Sequence, residues 1–256
     1  MGFVIYNDSV SSSLTNYISP AYTNMYSALT KLSSGFKINF AADGPADLVI
    51  SEQLRSQIAS LGQEIENSSA LIGKYNTASS SISELHTYLN DLRTLAVGAA
   101  NEGGNSPDVQ QVYADEANNI VSYYNTAIDN ATYNNVKLLD GSDGSLANIS
   151  KLDGIDLSSA ETAQAAIDKI DSTIAEIDNV QTDIGATQKN ELQAHISSLE
   201  ITRQNLQAAE SNLYDTDFAL EFSTFLSEQI KFQTGLALMS HLTLSSNSVL
   251  GLINGN

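Results

Sequence analysis

From Pro45 to Asn101 apolar residues return at helical spacing, at Ile50, Leu54, Ile58, Leu61, Ile65, Ile72, Tyr75, Ile82, Leu85, Leu89 and Leu92, with no proline after Pro45. Their mean spacing is close to a heptad, which gathers them on one narrow face of a single helix. At about 1.5 Å per residue that helix is on the order of 85 Å long. So long a helix needs partner helices along its length, because its stability comes from packing the striped face. The feature predicts a mostly α chain built as a long antiparallel helical coiled-coil rod.

The partners are visible in the same sequence. Asn101–Ser106 reads as a turn, after which Ser106 and Pro107 have the order of an N-cap and a first helical residue, opening a third helix to roughly Ala131 that folds back on the second. From Tyr133 to Leu157 the period shortens, and Val136–Leu139, Asp140–Gly144 and Gly154 predict short strands joined by turns. Ser158 and Glu161 match a capping box. A second long stripe follows, through Ile167, Ile170, Ile174, Ile177, Ile184, Leu192, Ile196, Leu199, Leu206 and Leu213. Ile58, Leu61, Ile82, Leu85, Ile174 and Leu199 are the residues expected to bury the rod core.

Both ends of the sequence carry stripes of their own. Leu14, Ile18, Tyr22, Met25, Leu29 and Leu32 predict a helix over about 9–34, stopped by Gly35 and kinked or divided by Pro20. A loop then leads to Pro45 as a first helical residue, capped by Asp43 or Gly44. Phe218, Phe222, Leu226, Ile230, Phe232, Leu236, Met239 and Leu242 predict a last helix that trails off from Leu250. Ends of globular domains are normally polar, so these two call for partners, in each other and in neighbouring copies. The expected division is 1–42 for an inner helix and loop, 43–213 for the rod with its β region near 133–157, and 214–256 for the second inner helix. Leu14, Ile18, Leu29, Leu32, Phe222, Leu226, Ile230 and Leu236 are the candidate self-assembly residues.

Catalytic patterns are missing. The sequence contains no Gly-x-Ser-x-Gly elbow, phosphate-cradling loop or dinucleotide fingerprint, and no cysteine. His86, His195 and His241 fall on three different helices, without a second ligand at metal spacing; His195 interrupts a core stripe and is expected to be a partly buried, satisfied histidine. The turn at Asp140–Gly144 lacks the alternating ligands of a calcium loop. No enzyme activity, cofactor or metal is expected. A formal charge of −19, from 30 acidic and 11 basic residues, repels a phosphate backbone, so nucleic acid is not an expected partner. No apolar run reaches the roughly 20 residues of a membrane span, and the amino end lacks the basic start of a cleavable signal, so export is expected to follow a signal-less route.

Specific motifs go further than periods. Lys31-Leu-Ser-Ser-Gly-Phe-Lys-Ile-Asn39, followed by Ala42-Asp43 and Ile50-Ser51, resembles the amino-terminal signature of bacterial flagellins. Leu92–Val97, Tyr133–Gly141 and Ile184–Gln188 continue the likeness in the family's order. Ala208–Ser211, Asp215–Ala219, Glu221, Gln229, Gln233–Gly235 and Val249-Leu250 carry it through the carboxyl half. The resemblance implies a filament subunit of minimal form, with little or no outer domain, whose paired terminal helices line a channel inside a layer of rods. It implies as partners other copies of the chain, junction and cap proteins and an export chaperone, in an external or periplasmic flagellum. Asp43-Gly-Pro-Ala-Asp47 departs toward the hook–filament junction relatives and keeps a junction-like or specialised paralogue as the alternative. In flagellins that trigger the vertebrate innate receptor a Gln-Arg pair precedes the Leu-Ala-Val segment. Asn90 and Asp91 stand there in this chain, with Leu95 retained, which implies weak receptor contact.

Overall fold

The computed structural model describes residues 7–101, 104, 106–142 and 148–253. Met1–Tyr6, parts of the turns at 101–106 and 140–144, and the last three residues of the sequence therefore lie outside the described residues. Six α-helices run in chain order: α1 Asn7–Ser34, α2 Pro45–Ala99, α3 Pro107–Asn130, α4 Ala160–Ala186, α5 Gln193–Tyr214 and α6 Phe218–Ile253. Two short strands, β1 Thr132–Tyr133 and β2 Val136–Lys137, form an antiparallel hairpin between α3 and α4. A π-helical turn, Thr187–Leu192, joins α4 to α5 without a break. Residue contacts divide the chain into two compact units, one of residues 1–60 with 203–256 and one of residues 61–202, so the division falls inside α2 and α5.

Helix boundaries follow local chemistry. Gly35, at φ +79°, ends α1 and its N–H donates to the Lys31 carbonyl at 2.8 Å. The Gly44 carbonyl accepts the Leu48 N–H at 2.9 Å, making Gly44 the residue before α2. Asp43 is used differently, its Oδ2 accepting the N–H groups of Asn39 and Phe40 at 3.0 and 2.8 Å within the loop. Ser106 caps α3, with Pro107 in the first turn. The capping box of α4 sits one residue later than expected. The Ser159 hydroxyl accepts the Thr162 N–H and the Thr162 hydroxyl accepts the Ser159 N–H, at 3.2 and 3.0 Å. Ser158 is left out because its N–H donates to Asp156 at 2.9 Å.

In the unit of residues 61–202 the core is one continuous cluster. From α2 it takes Ala78, Ile82, Leu85, Leu89, Leu92, Ala96 and Ala99, alternating steps of four and three. Facing residues include Ala117, Val121, Tyr124 and Ile128 of α3 and Ile167, Ile170, Ile177 and Ile184 of α4. Truncating one such buried Leu or Ile to Ala costs about 2–5 kcal/mol. Tyr124 is wholly buried, its hydroxyl donating to the Ser150 carbonyl, and burial pushes its phenol well above the ordinary value.

The expected β region is smaller than its composition suggests. Asn134 and Asn135, at φ 49° and 66°, make a tight two-residue turn with both central residues left-handed, as a hairpin of this twist requires. Beyond it the described residues of this region add an Asp140–Asn148 bridge. The stretch 149–157 is held by side chains instead of a strand. The Asn125 amide both donates to and accepts from the Leu152 backbone, at 2.8 and 3.0 Å, and Asn118 accepts the Ile155 N–H at 3.2 Å.

Two further expectations change. α1 runs unbroken through Pro20, which lies exposed, so its ring faces water and the missing donor does not stop the helix. α6 continues past Leu250 to Ile253.

Candidate functional site

The terminal helices α1 and α6 pack on each other within their unit. Their seam is made of small residues and half-buried apolar ones. Ala21 and Ala28 are buried at 3% and 0% exposure. A Cβ built on Gly235 of α6 would lie 2.6 Å from Ile18 Cγ1, so only glycine lets the two backbones come this close. Leu14, Ile18, Met25 and Leu32 of α1 and Phe225, Phe232 and Met239 of α6 are half-buried. The rings of Tyr22 and Phe232 meet with centroids 5.5 Å apart, and Lys31 Nζ lies 3.4 Å from Glu221 Oε1.

The same unit clamps its two connecting segments together. Phe36 and Asp215 form an antiparallel bridge, with the Lys37 N–H donating to the Tyr214 carbonyl at 2.7 Å and the Thr216 N–H to the Gly35 carbonyl at 3.0 Å. The Tyr214 ring is 4.7 Å from that of Phe36, and the Arg55 guanidinium sits 4.1 Å from its centroid. Arg55 Nε donates to Glu210 at 2.9 Å. Asp217 then caps α6 by accepting the N–H groups of Ala219 and Leu220.

What the seam leaves uncovered is extensive. Of the candidate self-assembly residues, Leu14, Ile18 and Leu32 are half-buried, while Leu29, Phe222, Leu226, Ile230 and Leu236 remain exposed, Ile230 by 63%. Tyr17, Tyr22 and Tyr26 of α1 and Leu220, Leu238 and Leu244 of α6 are exposed as well. α6 thus carries exposed apolar residues that α1 leaves uncovered, among polar ones such as Ser223, Ser227, Lys231 and Gln233. Exposed apolar surface of that extent marks a face that a partner covers. Val10, Leu14, Tyr17, Ile230 and Leu238 also line an apolar groove of about 500 Å³ along the pair. Ala21 and Ala28 were not among the residues singled out from the sequence, and Gly235 entered only as part of the family-like Gln233–Gly235 motif, not as a seam residue. Their signal is the seven-residue interval between the two alanines and a glycine inside a helix with no turn to make.

Of the rod-core set, Ile82 and Leu85 are fully buried and Leu199 is 9% exposed; Ile58, Leu61 and Ile174 are half-buried. Asn90 and Asp91 are exposed on α2, Leu95 packs half-buried against the core, and the neighbouring Arg93 is engaged by Asp171 at 2.7 Å. His195 is exposed, contrary to its apparent place in a core stripe. The π turn carries the buried face through Leu192, Ile196 and Leu199 and leaves His195 outside it. His86 is half-buried, its Nε2 3.2 Å from Asp178 Oδ1, and His241 is exposed. Among the described residues no three His, Asp or Glu side chains converge on a metal position, and no helix is long and apolar enough to cross a membrane.

Residues 5–144 match the family model described as the bacterial flagellin N-terminal helical region, and residues 167–253 match the one described as the bacterial flagellin C-terminal helical region. The chain is similar to a flagellin of Halalkalibacterium halodurans, 34% identical over 249 residues that cover 88% of this chain and 90% of that one. It is 28% identical to a flagellin of Bacillus subtilis over 279 residues, covering 88% and 91%. It is 26% identical to the flagellar filament 31.3 kDa core protein of Treponema maltophilum over 288 residues, covering 98% and 100%.

Proposed function

This chain belongs to the bacterial flagellin family, and we propose that the outward apolar faces of α1 and α6 are the surfaces by which its copies hold one another. As a flagellin it is a structural subunit that polymerises into the flagellar filament used for motility. The observation that carries the proposal is the set of exposed apolar residues on α6, Leu220, Phe222, Leu226, Ile230, Leu236 and Leu238, that α1 leaves uncovered. Burying a half-exposed Leu, Ile or Phe contributes roughly 1 kcal/mol, and several such residues from each copy offset the cost of ordering a subunit. The chain acts through this interface and carries no catalytic step. Cap, junction and export-chaperone proteins are its further partners by the same apolar faces, and the filament is external or periplasmic.

The test is polymerisation. Protein monomerised by heat and returned to salt is expected to sediment as long filaments visible by electron microscopy. Leu226→Glu with Ile230→Glu places two carboxylates at positions of α6 that are 40% and 63% exposed. That variant is expected to keep its helical circular dichroism and stay in the supernatant. Filaments from the variant at wild-type yield would overturn the assignment of the face, and wild-type protein that stops at short oligomers would favour a junction-like subunit.

A further inference from the structure

Outside the terminal pair, the feature with the most unassigned chemistry is a cleft of about 230 Å³ in the unit of residues 61–202. α2 supplies Ser81, Glu84 and Tyr88 to it, and α3 supplies Tyr123, Ala127 and Asn130. Tyr123 is 61% exposed and Tyr88 half-buried, so two phenol rings border a space open to solvent. Glu84 Oε1 accepts the Tyr88 hydroxyl at 2.8 Å, which orients the carboxylate and leaves its other oxygen unused. Among the described residues no cation pairs with Glu84, and the Ser81 hydroxyl and the Asn130 amide make no hydrogen bond of their own. Tyr88 and Ala127 also pack against the core, whereas the Glu84 carboxylate and the Tyr123 ring lie exposed at the cleft and take no part in that packing.

The chemistry of the lining selects among ligands. An anion would meet a carboxylate and no base, in a chain of formal charge −19. A hard metal ion needs several oxygen ligands, and here only one carboxylate is at hand. A cation with an apolar skin suits all of it: aromatic faces attract positive charge, and the free carboxylate oxygen balances it. We propose that this cleft binds an organic ammonium group, seated between Tyr88 and Tyr123 with its charge against Glu84. The group can belong to a free quaternary ammonium compound or to an exposed lysine side chain of a second copy, such as Lys189.

The sequence has no Trp and 11 Tyr, so tyrosine ring signals in NMR report directly on the cleft of the full-length chain. Tetramethylammonium and butylammonium chloride are the two probes, with sodium chloride and glucose as controls. Saturable shifts confined to Tyr88 and Tyr123 are expected, with the tetramethyl probe favoured for a free quaternary ligand and the butyl probe for lysine. Glu84→Gln and Tyr123→Leu, both at solvent-exposed positions, are each expected to weaken binding roughly three- to five-fold, while the remaining tyrosine signals stay in place. Shifts that stay linear with both probes, saturation by glucose or sodium chloride, or binding unaltered by both substitutions would overturn the proposal.

Discussion

Asp129, at the end of α3, accepts hydrogen bonds from Lys137 at 2.9 Å and Lys151 at 2.6 Å, and these two ammonium groups pull its pKa down to about 2. A carboxylate with a depressed folded-state pKa adds stability above its unfolded value near 4, and that stability is lost as the pH falls toward 2. Asp129→Asn is therefore expected to destabilise the unit of residues 61–202 at neutral pH and to leave it nearly unchanged at pH 2, as read from thermal melts at both values. The pair is exposed and screened by salt, so the difference should shrink at high ionic strength. No spacing rule in the sequence points to this contact, because Lys151 reaches Asp129 across the hairpin. His195 was misread for a related reason: its place relative to the stripe depends on a turn that the residue itself does not announce.

At the scale of elements, the sequence was most legible where a single local bond sets a boundary. Gly35, Gly44–Pro45 and Ser106–Pro107 each mark an end that the structure has, and the run Ile82, Leu85, Leu89 and Leu92 along α2 shows its buried face directly, while Ala78, Ala96 and Ala99 extend that face unannounced by the stripe. The π turn was hidden because Gln188, a polar residue, holds the stripe position between Ile184 and Leu192. Its amide donates to Asn76 Oδ1 at 3.0 Å, so the seam continues by hydrogen bond where an apolar contact was sought. The positions 184, 188, 192 and 196 then advance by three successive fours, wider than a regular helix keeps on one face, and one wider turn absorbs the excess. The capping box was legible in kind and off by one residue, since Ser158 and Ser159 are alike until Asp156 takes the first of them. Ser159→Ala is expected to cost about 1 kcal/mol in chemical denaturation, and Ser158→Ala only a few tenths.

For the whole molecule, fold class, family and the pairing of the terminal helices could be read from periodicity and motifs, while the seam itself could not, because alanine and glycine carry no stripe. The receptor reading concerns the exposed face of α2 at Asn90 and Asp91. We propose that Asp91, exposed where receptor-triggering flagellins carry arginine, keeps activation weak. Asn90→Gln with Asp91→Arg is expected to raise the response of innate-receptor reporter cells at least ten-fold, and a wild-type chain of full potency would refute the role of Asp91. The contact between Ile18 and Gly235 also has a meaning in time. α1 and α6 cover each other although α2 to α5 lie between them in the chain, so Ala21 and Ala28 stay bare until α6 has been made. A chain cut before Phe218 lacks α6, and with it the cover of the small-residue face of α1.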